Sequence, residues 1–457
     1  MLHVALVGAG NRGRLYADIL KQITRDVRVT AIAEPRLARR EQTADRHGIS
    51  AARQFEDWRS LFETLPDGPE QAVIIATGDR DHVDPACVAL ARGHQVLLEK
   101  PIAPDVAGIR AVQAATRERA RRGGSLTVCH VLRYDPLFRY IREVLEEGVL
   151  GRLLSVYHAE NVAWYHMAHS YVRGQWGNSR TSAPMILAKS CHDLDLLCWF
   201  ARSNAARVAA TAGQSVFTGE HVPAGAPERC TDGCPVAETC RYEAVRTYRD
   251  GVPIKQALAH TGGLLGAAAR FALRYPGVAR RLPLLARYSP WSEWPTSTIT
   301  DDLSSEGIMH ALRTGPYGRC VYRCDNDQPD HLEAVIRFES GVGASFRMHG
   351  QSSEEGRTLR MDGTEGSLHA RFGDKHEVTI HRHGAKTSDT RRFRSAGIGH
   401  GTADRALMET WVRILTGRHP PEPPDLAVES HLLAHAIHES TQTGRAVSLS
   451  EIRDGDS

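Results

Sequence analysis

Residues 186–200, ILAKSCHDLDLLCWF, place a lysine, a cysteine, a histidine and two aspartates at the head of an apolar helical stripe. Ser190 followed by Asp193 has capping-box spacing, which starts a helix there. Leu194, Leu197, Cys198 and Ala201 recur at helical spacing as its packing side. His192, Asp195 and Trp199 share another face, because residues three and four apart are neighbours. A helix N-terminus carries partial positive charge, and a nearby lysine acts in the same sense. Both keep the His192 imidazole neutral near pH 7, the form a general base needs. Such a group suits a hydroxyl that loses its proton while its carbon gives up hydride. Lys100 is the expected donor to the developing alkoxide, and Asp195 the orienter or substrate acceptor. The plain alternative is a capped core helix whose histidine satisfies a backbone group.

That chemistry needs a hydride carrier, and the N-terminus offers a place for one. LHVALVGAGNRGRLYADIL reads as strand, glycine turn and helix, with Gly8, Gly10 and Gly13 in G-x-G-x-x-G spacing. The next strand, VRVTAIAE, ends in Glu34, 21 residues beyond Gly13. In this pattern Gly8 makes the turn, Gly10 admits a pyrophosphate and Gly13 lets helix and strand pack. Asn11, Arg12, Thr77, His82, Glu99 and Lys100 complete the expected cofactor set. A Glu34 carboxylate on the ribose favours NAD over NADP, although Arg36, Arg39 and Arg40 follow closely. Strands QAVIIAT, HQVLLEKP and SLTVCHVLRY alternate with helical segments, which predicts a doubly wound parallel sheet over 1–133.

The N-terminal glycine motif, EKP after a strand, the histidine–aspartate segment and GHGTADRALMETWV near the C-terminus occur in this order. Together they make the chain resemble the Gfo/Idh/MocA family of sugar and cyclitol oxidoreductases. The resemblance implies that Lys100 touches both nicotinamide ribose and substrate, and that His400 and Asp404 approach the substrate. It also implies a homo-oligomer, dimer or tetramer, formed through the open face of a second sheet. Many members carry an aspartate four residues before the histidine. Here that position is Ala188, and Lys189 follows as in a subgroup with lysine three before the histidine. Lys189 is therefore a candidate to share or replace the proton-transfer role.

Residues 134–457 are expected to form an α+β substrate and oligomerisation domain around an open, mostly antiparallel sheet, with an insertion near 220–300. A long strand begins after 150, hairpins surround Ser340-Gly341 and follow in RTLRMDGTEGSLHA, and helices are expected over 403–415 and 425–442. NVAWYHMAHSYVRGQWGN reads as a loop for a polyhydroxylated substrate, with Tyr165, His166, His169, Arg173 and Trp176 as candidates. The insertion carries Arg270, Arg274, Arg280, Arg281 and Arg287 among apolar residues, with Pro276 and Pro283 breaking it; it reads as a lid or subunit contact. Cys230, Cys234 and Cys240, with Cys320 and Cys324, lack C-x-x-C spacing. Zinc, reduced packing and a redox-labile pair stay open, and no metal is assigned.

Composition bounds the rest. The 457 residues suit two domains, with 41% hydrophobic and 24% charged residues as in ordinary globular proteins. A net charge of +3 is too small to point to nucleic acid. No apolar run reaches the roughly 18–20 residues of a membrane helix, and nine scattered cysteines fit reduced thiols. A cytoplasmic protein with a small-molecule carbohydrate or cyclitol substrate is expected. Three functions fit: an NAD-dependent oxidoreductase, a redox-assisted glycoside hydrolase working by oxidation and elimination, or a non-enzymatic dinucleotide-binding regulator.

Overall fold

The strands LHVALV and QAVII lack the polar alternation of a half-exposed sheet because helices cover both faces. In the computed structural model, residues 2–120, 125–260, 263–279, 281–282, 285, 290–394, 401–421 and 423–454 are described. The first sheet contains β1 (Leu2–Val7), β2 (Val27–Ala33), β3 (Gln54–Phe55), β4 (Gln71–Ile75), β5 (Gln95–Leu98) and β6 (Leu126–Val128). All are parallel, in the order β3-β2-β1-β4-β5-β6. The order reverses between β1 and β4, which opens a crevice at the carboxyl ends of the strands. The glycine turn after β1, Thr77 after β4 and Lys100 after β5 all border it.

The second sheet has nine strands: β7 (Leu153–Ala163), β8 (Ala205–Gly213), β9 (His331–Phe338), β10 (Gly343–Ser352), β11 (Gly356–Gly363), β12 (Gly366–Phe372), β13 (His376–Arg382), β14 (Asp389–Arg392) and β15 (Val447–Ser448). Their order is β14-β13-β12-β11-β7-β10-β9-β8-β15, antiparallel except for β7 beside β10. Burial alternates strictly along β9, so one face packs and the other stays open. The helices Cys191–Ala201 and Pro424–Thr443 pack together on the covered side.

The expected boundary at 133 does not hold as a single cut. Helix Gly401–Leu415 returns to the first domain, where Leu407, Met408 and Trp411 join the core of Tyr16, Leu20 and Ile32. The insertion contains helices Val252–Ala259, Gly263–Arg274 and Pro276–Ala279. Ile254, Ala272, Ala279 and Trp291 give it a small core of its own. Arg280, Arg287 and His400 lie outside the described residues. Among those described, no helix is long and apolar enough to cross a membrane.

Candidate active site

The three glycines do different jobs. Gly8 sits at φ 89°, and a Cβ there would come within 2.5 Å of the Ala76 carbonyl oxygen. A Cβ on Gly13 would lie 2.0 Å from the Gly8 oxygen, so only glycine lets helix Asn11–Ile23 pack this close. A Cβ on Gly10 meets nothing within 4 Å, and the helix starts there without a side-chain cap. Open space before a helix N-terminus is what a pyrophosphate needs. Glu34 is fixed against this turn: one carboxylate oxygen accepts from Ala9 N at 2.8 Å and the other from Arg36 N at 3.0 Å. The cradle fits a dinucleotide, with Asn11 exposed at its edge. Thr77 Oγ1 donates to the Asp81 carbonyl at 3.0 Å.

Two expected cofactor residues have other partners. His82 is buried, and its Nδ1–H donates to the Pro101 carbonyl at 2.6 Å, which ties it to the turn after Lys100. Arg12 turns to carboxylates, donating to Glu99 at 2.7 Å and to Asp404 at 2.6 Å. Tyr16 Oη also donates to Glu99, at 2.6 Å, and Lys100 N donates to its other oxygen at 2.9 Å. Burial alone would raise the Glu99 carboxyl, but Arg12, Lys100 and Tyr16 outweigh it and hold it down to about 2. Glu99 thus stays ionised and fixes the end of β5, where Lys100 begins.

Lys100 Nζ donates to the Ala188 carbonyl at 2.7 Å, joining the end of β5 to the turn that precedes His192. His192 is buried, with its ring edge-on to His130 at 6.0 Å. Burial, with help from Arg133 and Lys100, pushes the His130 imidazole well down, so that ring is neutral. The expected capping box is absent. Ser190 makes no side-chain cap; its Oγ donates to Glu160 at 3.0 Å instead. Asp193 binds His158 at 2.6 Å and Arg357 at 2.7 Å. The division of the helix into packed and presented faces also fails, because it is buried on nearly all sides. Asp195 is committed to Arg133, which donates to its two oxygens at 2.6 and 2.5 Å. Its carboxylate is 1% exposed and engaged on both oxygens.

Lys189 lies 3.4 Å from Glu160 and 3.6 Å from Glu355. Burial would lower its ammonium, but the two carboxylates outweigh this and raise it, so Lys189 stays charged. Glu160 moves the other way: burial and the Asp193 charge raise its carboxyl against the pull of Arg357 and Lys189. His166 joins the same group through Glu355, at 2.9 Å. Tyr165 flanks it, packed against Trp294 of the insertion.

The expected loop around 161–178 is wound up as a helical turn, Trp164–His166, and a π-helix, Met167–Arg173. Its later polar residues turn inward. His169 is buried between Tyr248 and Thr298, hydrogen-bonded to both, and stacked on Tyr317 at 5.0 Å. Arg173 is buried and donates to the carbonyls of Arg319 and Tyr242. Both side chains are engaged by interior partners. Trp176 Nε1 donates to Asp79 at 2.9 Å, which ties this segment to the loop after Thr77.

Sequence reading missed Glu160, His158, Arg133, Arg357 and Glu355. A signal existed for two: His158 and Glu160 share strand parity with the inward Val156 and Val162 of β7. Glu355, in the turn between β10 and β11, carried no such signal.

Residues 2–125 match the family described as Oxidoreductase family, NAD-binding Rossmann fold, GFO_IDH_MocA. The N-terminal domain is a Gfo/Idh/MocA NAD-binding domain. The chain is 32% identical over 202 residues to an inositol 2-dehydrogenase of Streptomyces avermitilis, covering 44% of this chain and 53% of that protein. It is 25% identical over 302 residues to a putative oxidoreductase, YteT, of Bacillus subtilis, covering 65% and 59% of the two chains. The first of these matches spans about half the length of its relative. Solved structures share the fold across nearly the whole chain. Levoglucosan dehydrogenase in complex with NADH and levoglucosan superposes with TM-score 0.63 at 17% identity, covering 98% of this chain and 99% of that one. Scyllo-inositol dehydrogenase from Lactobacillus casei with NAD(H) and scyllo-inositol gives 0.62 at 16%, with the same coverage.

Proposed function

We propose that this protein is an NAD-dependent oxidoreductase acting on a secondary hydroxyl of a cyclitol, sugar or glycoside. One observation carries the reading: Lys100 Nζ donates to the carbonyl of Ala188, setting the strand-end ammonium beside the first turn that holds His192. Bound NAD supplies the hydride acceptor. His192 takes the hydroxyl proton, Lys100 stabilises the alkoxide as it forms, and Asp195 acts through Arg133. Glu34 at the glycine turn favours NAD over NADP. The inositol dehydrogenase relatives support a polyhydroxylated ring as substrate. The test is NADH absorbance with a panel of cyclitols, sugars and glycosides. Turnover that survives in Lys100→Met and His192→Asn would sink the assignment.

A second reading rests on the Lys189, Glu355 and His166 group. After oxidation to a ketone the neighbouring C–H is acidic; His166, oriented by Glu355, removes that proton. The leaving group departs, water adds, and the hydride returns, so no NADH accumulates. Release of nitrophenol from a nitrophenyl glycoside at constant NADH absorbance separates this from simple oxidation.

Leu154, Tyr157 and Val335 are exposed at 41%, 42% and 65% on the second sheet. Tyr157 and Val335 both pair with Ser345, so they stand in one row across the open face. This supports a homo-oligomer built through that face, which light scattering of wild type and Val335→Glu would test. All nine cysteines are free, which supports a reducing, cytoplasmic setting.

A further inference from the structure

Of the nine large apolar side chains exposed among the described residues, five lie between 264 and 282: Leu264, Leu265, Tyr275, Val278 and Leu282. Three of the others belong to the open face of the second sheet. The cluster sits on the insertion, on helix Gly263–Arg274 and the short helix Pro276–Ala279 after it. The inward side of the longer helix is made of Gly266, Ala269 and Ala272, small residues that let it lie close on helix Val252–Ala259. Leu264, Ala268, Phe271 and Tyr275 recur at helical spacing on another side. Tyr275 N donates to the Phe271 carbonyl at 2.8 Å, which carries the turn past Arg274. The Phe271 and Tyr275 rings stand 5.4 Å apart, so the stripe is continuous there. Leu264 is 90% exposed, and the fold gains nothing from burying it.

The charge around this stripe has one sign. Residues 251–292 hold six basic side chains and no aspartate or glutamate, in a chain whose net charge is only +3. Arg270, Arg274 and Arg281 are exposed. Arg274 donates to the Tyr275 hydroxyl at 3.0 Å, and its guanidinium lies 5.6 Å from the centre of that ring, so cation and apolar stripe meet. Arg270 stands one turn before Arg274 on the same side. An exposed apolar stripe bordered only by cations suits a bilayer of anionic lipids. Phosphates neutralise the guanidinium groups while leucine, valine and aromatic side chains enter the acyl boundary. A second copy of the chain fits this face poorly, because the same patch on both partners would set arginine against arginine.

We propose that this face of the insertion is a docking surface for an anionic phospholipid bilayer, bound reversibly from the aqueous side. Helix Gly263–Arg274 has 12 residues. That is about 18 Å at a rise of about 1.5 Å per residue, short of the roughly 30 Å hydrocarbon core, so it lies on the surface rather than across it. Leu264 and Val278 enter the acyl boundary, and Arg270, Arg274 and Arg281 meet the lipid phosphates. Tyr275 stays at headgroup level, with its ring among the lipids and its hydroxyl toward water. Phe271 packs on the small core that also holds Tyr165 and Trp294, which joins the docking face to the candidate active site.

The test is co-sedimentation of the full chain with vesicles of phosphatidylcholine alone and of phosphatidylcholine mixed with phosphatidylglycerol. Binding to the mixed vesicles only is expected, and it falls as salt approaches 1 M, where the screening length is about 3 Å. Arg270→Gln, Arg274→Gln and Arg281→Gln together weaken partitioning by about 10²-fold, since each cation near such a surface is worth about fivefold. Leu264→Ser with Tyr275→Ser weakens it by about tenfold or more, while the melting temperature holds because both side chains are exposed. Wild type on the two vesicle types decides even if a variant fails to fold. No binding, equal binding to both vesicle types, or full binding in the arginine variant overturns the proposal. So does a mass by light scattering that drops in Leu264→Ser with Tyr275→Ser, which assigns the face to a second copy. Binding of polyglutamate without binding of vesicles overturns it too, in favour of an acidic protein.

Discussion

The Lys100 ammonium and the Ala188 carbonyl oxygen lie 2.7 Å apart although 88 residues separate them in the chain. The bond closes the crevice of the Rossmann domain with the helix entry of the second domain. If this junction is where hydride and proton leave the substrate, Lys100→Met and His192→Asn each lower kcat by about 10²–10⁴-fold, the usual worth of acid–base catalysis. NAD affinity, read by fluorescence titration, changes little in His192→Asn. Equal losses in kcat and in NAD affinity would show a structural role instead.

The glycine turn separates binding from folding. Gly10→Ala meets open space in the protein alone, so the melting temperature holds while NAD binding falls by an order of magnitude or more. Gly13→Ala drives a Cβ to 2.0 Å from the Gly8 oxygen and disrupts the domain. Thermal melts with and without NAD distinguish the two. A Gly10→Ala variant that binds NAD normally would move the pyrophosphate elsewhere.

Asp195 tests the difference between touching a substrate and holding a wall. It is 1% exposed and paired through two hydrogen bonds with Arg133. Asp195→Ala removes the carboxylate that accepts two hydrogen bonds from the buried Arg133 guanidinium and costs about 3–5 kcal/mol by denaturant unfolding. Arg133→Met combined with Asp195→Leu recovers most of that stability. Failure of the double variant to recover any would deny that the pair acts as a unit.

The parts of this architecture legible from sequence follow from local periodicity. Apolar runs gave the buried strands of the first sheet, alternation gave the β9–β10 and β11–β12 hairpins, and the glycine spacing located the turn. The polar wall was less legible because its partners come from distant strands. Asp193 and Asp195 look like surface residues of a helix head, yet Arg357 and Arg133 draw them inward from 164 and 62 residues away. Ser190 lost its capping role for the same reason, since Glu160 accepts its hydroxyl. The loop expected at 161–178 became helical because His169 and Arg173 found interior partners that no local pattern announces.

Buried imidazoles set an acid limit on stability. His169 and His431 are held at about 3, first by burial and then by neighbouring positive or imidazole groups. In the unfolded chain both titrate near 6.5. Between about pH 6.5 and 3 the unfolded state binds protons that the folded state refuses. Stability therefore rises with pH in that window and is lost as pH falls below about 6.5. Each group contributes a slope of up to about 1.4 kcal/mol per pH unit. Urea midpoints at about pH 7, 6 and 5 check this, and His431→Gln should flatten the slope by about one such group.

The most direct measurement is an experimental structure of the protein with NAD and a bound cyclitol or sugar. The Lys100 ammonium and the His192 imidazole should both stand about 2.6–3.2 Å from one substrate hydroxyl, whose carbon faces the nicotinamide. A nicotinamide ring directed away from the Lys100–Ala188 junction, or a hydroxyl within reach of neither side chain, would contradict the account.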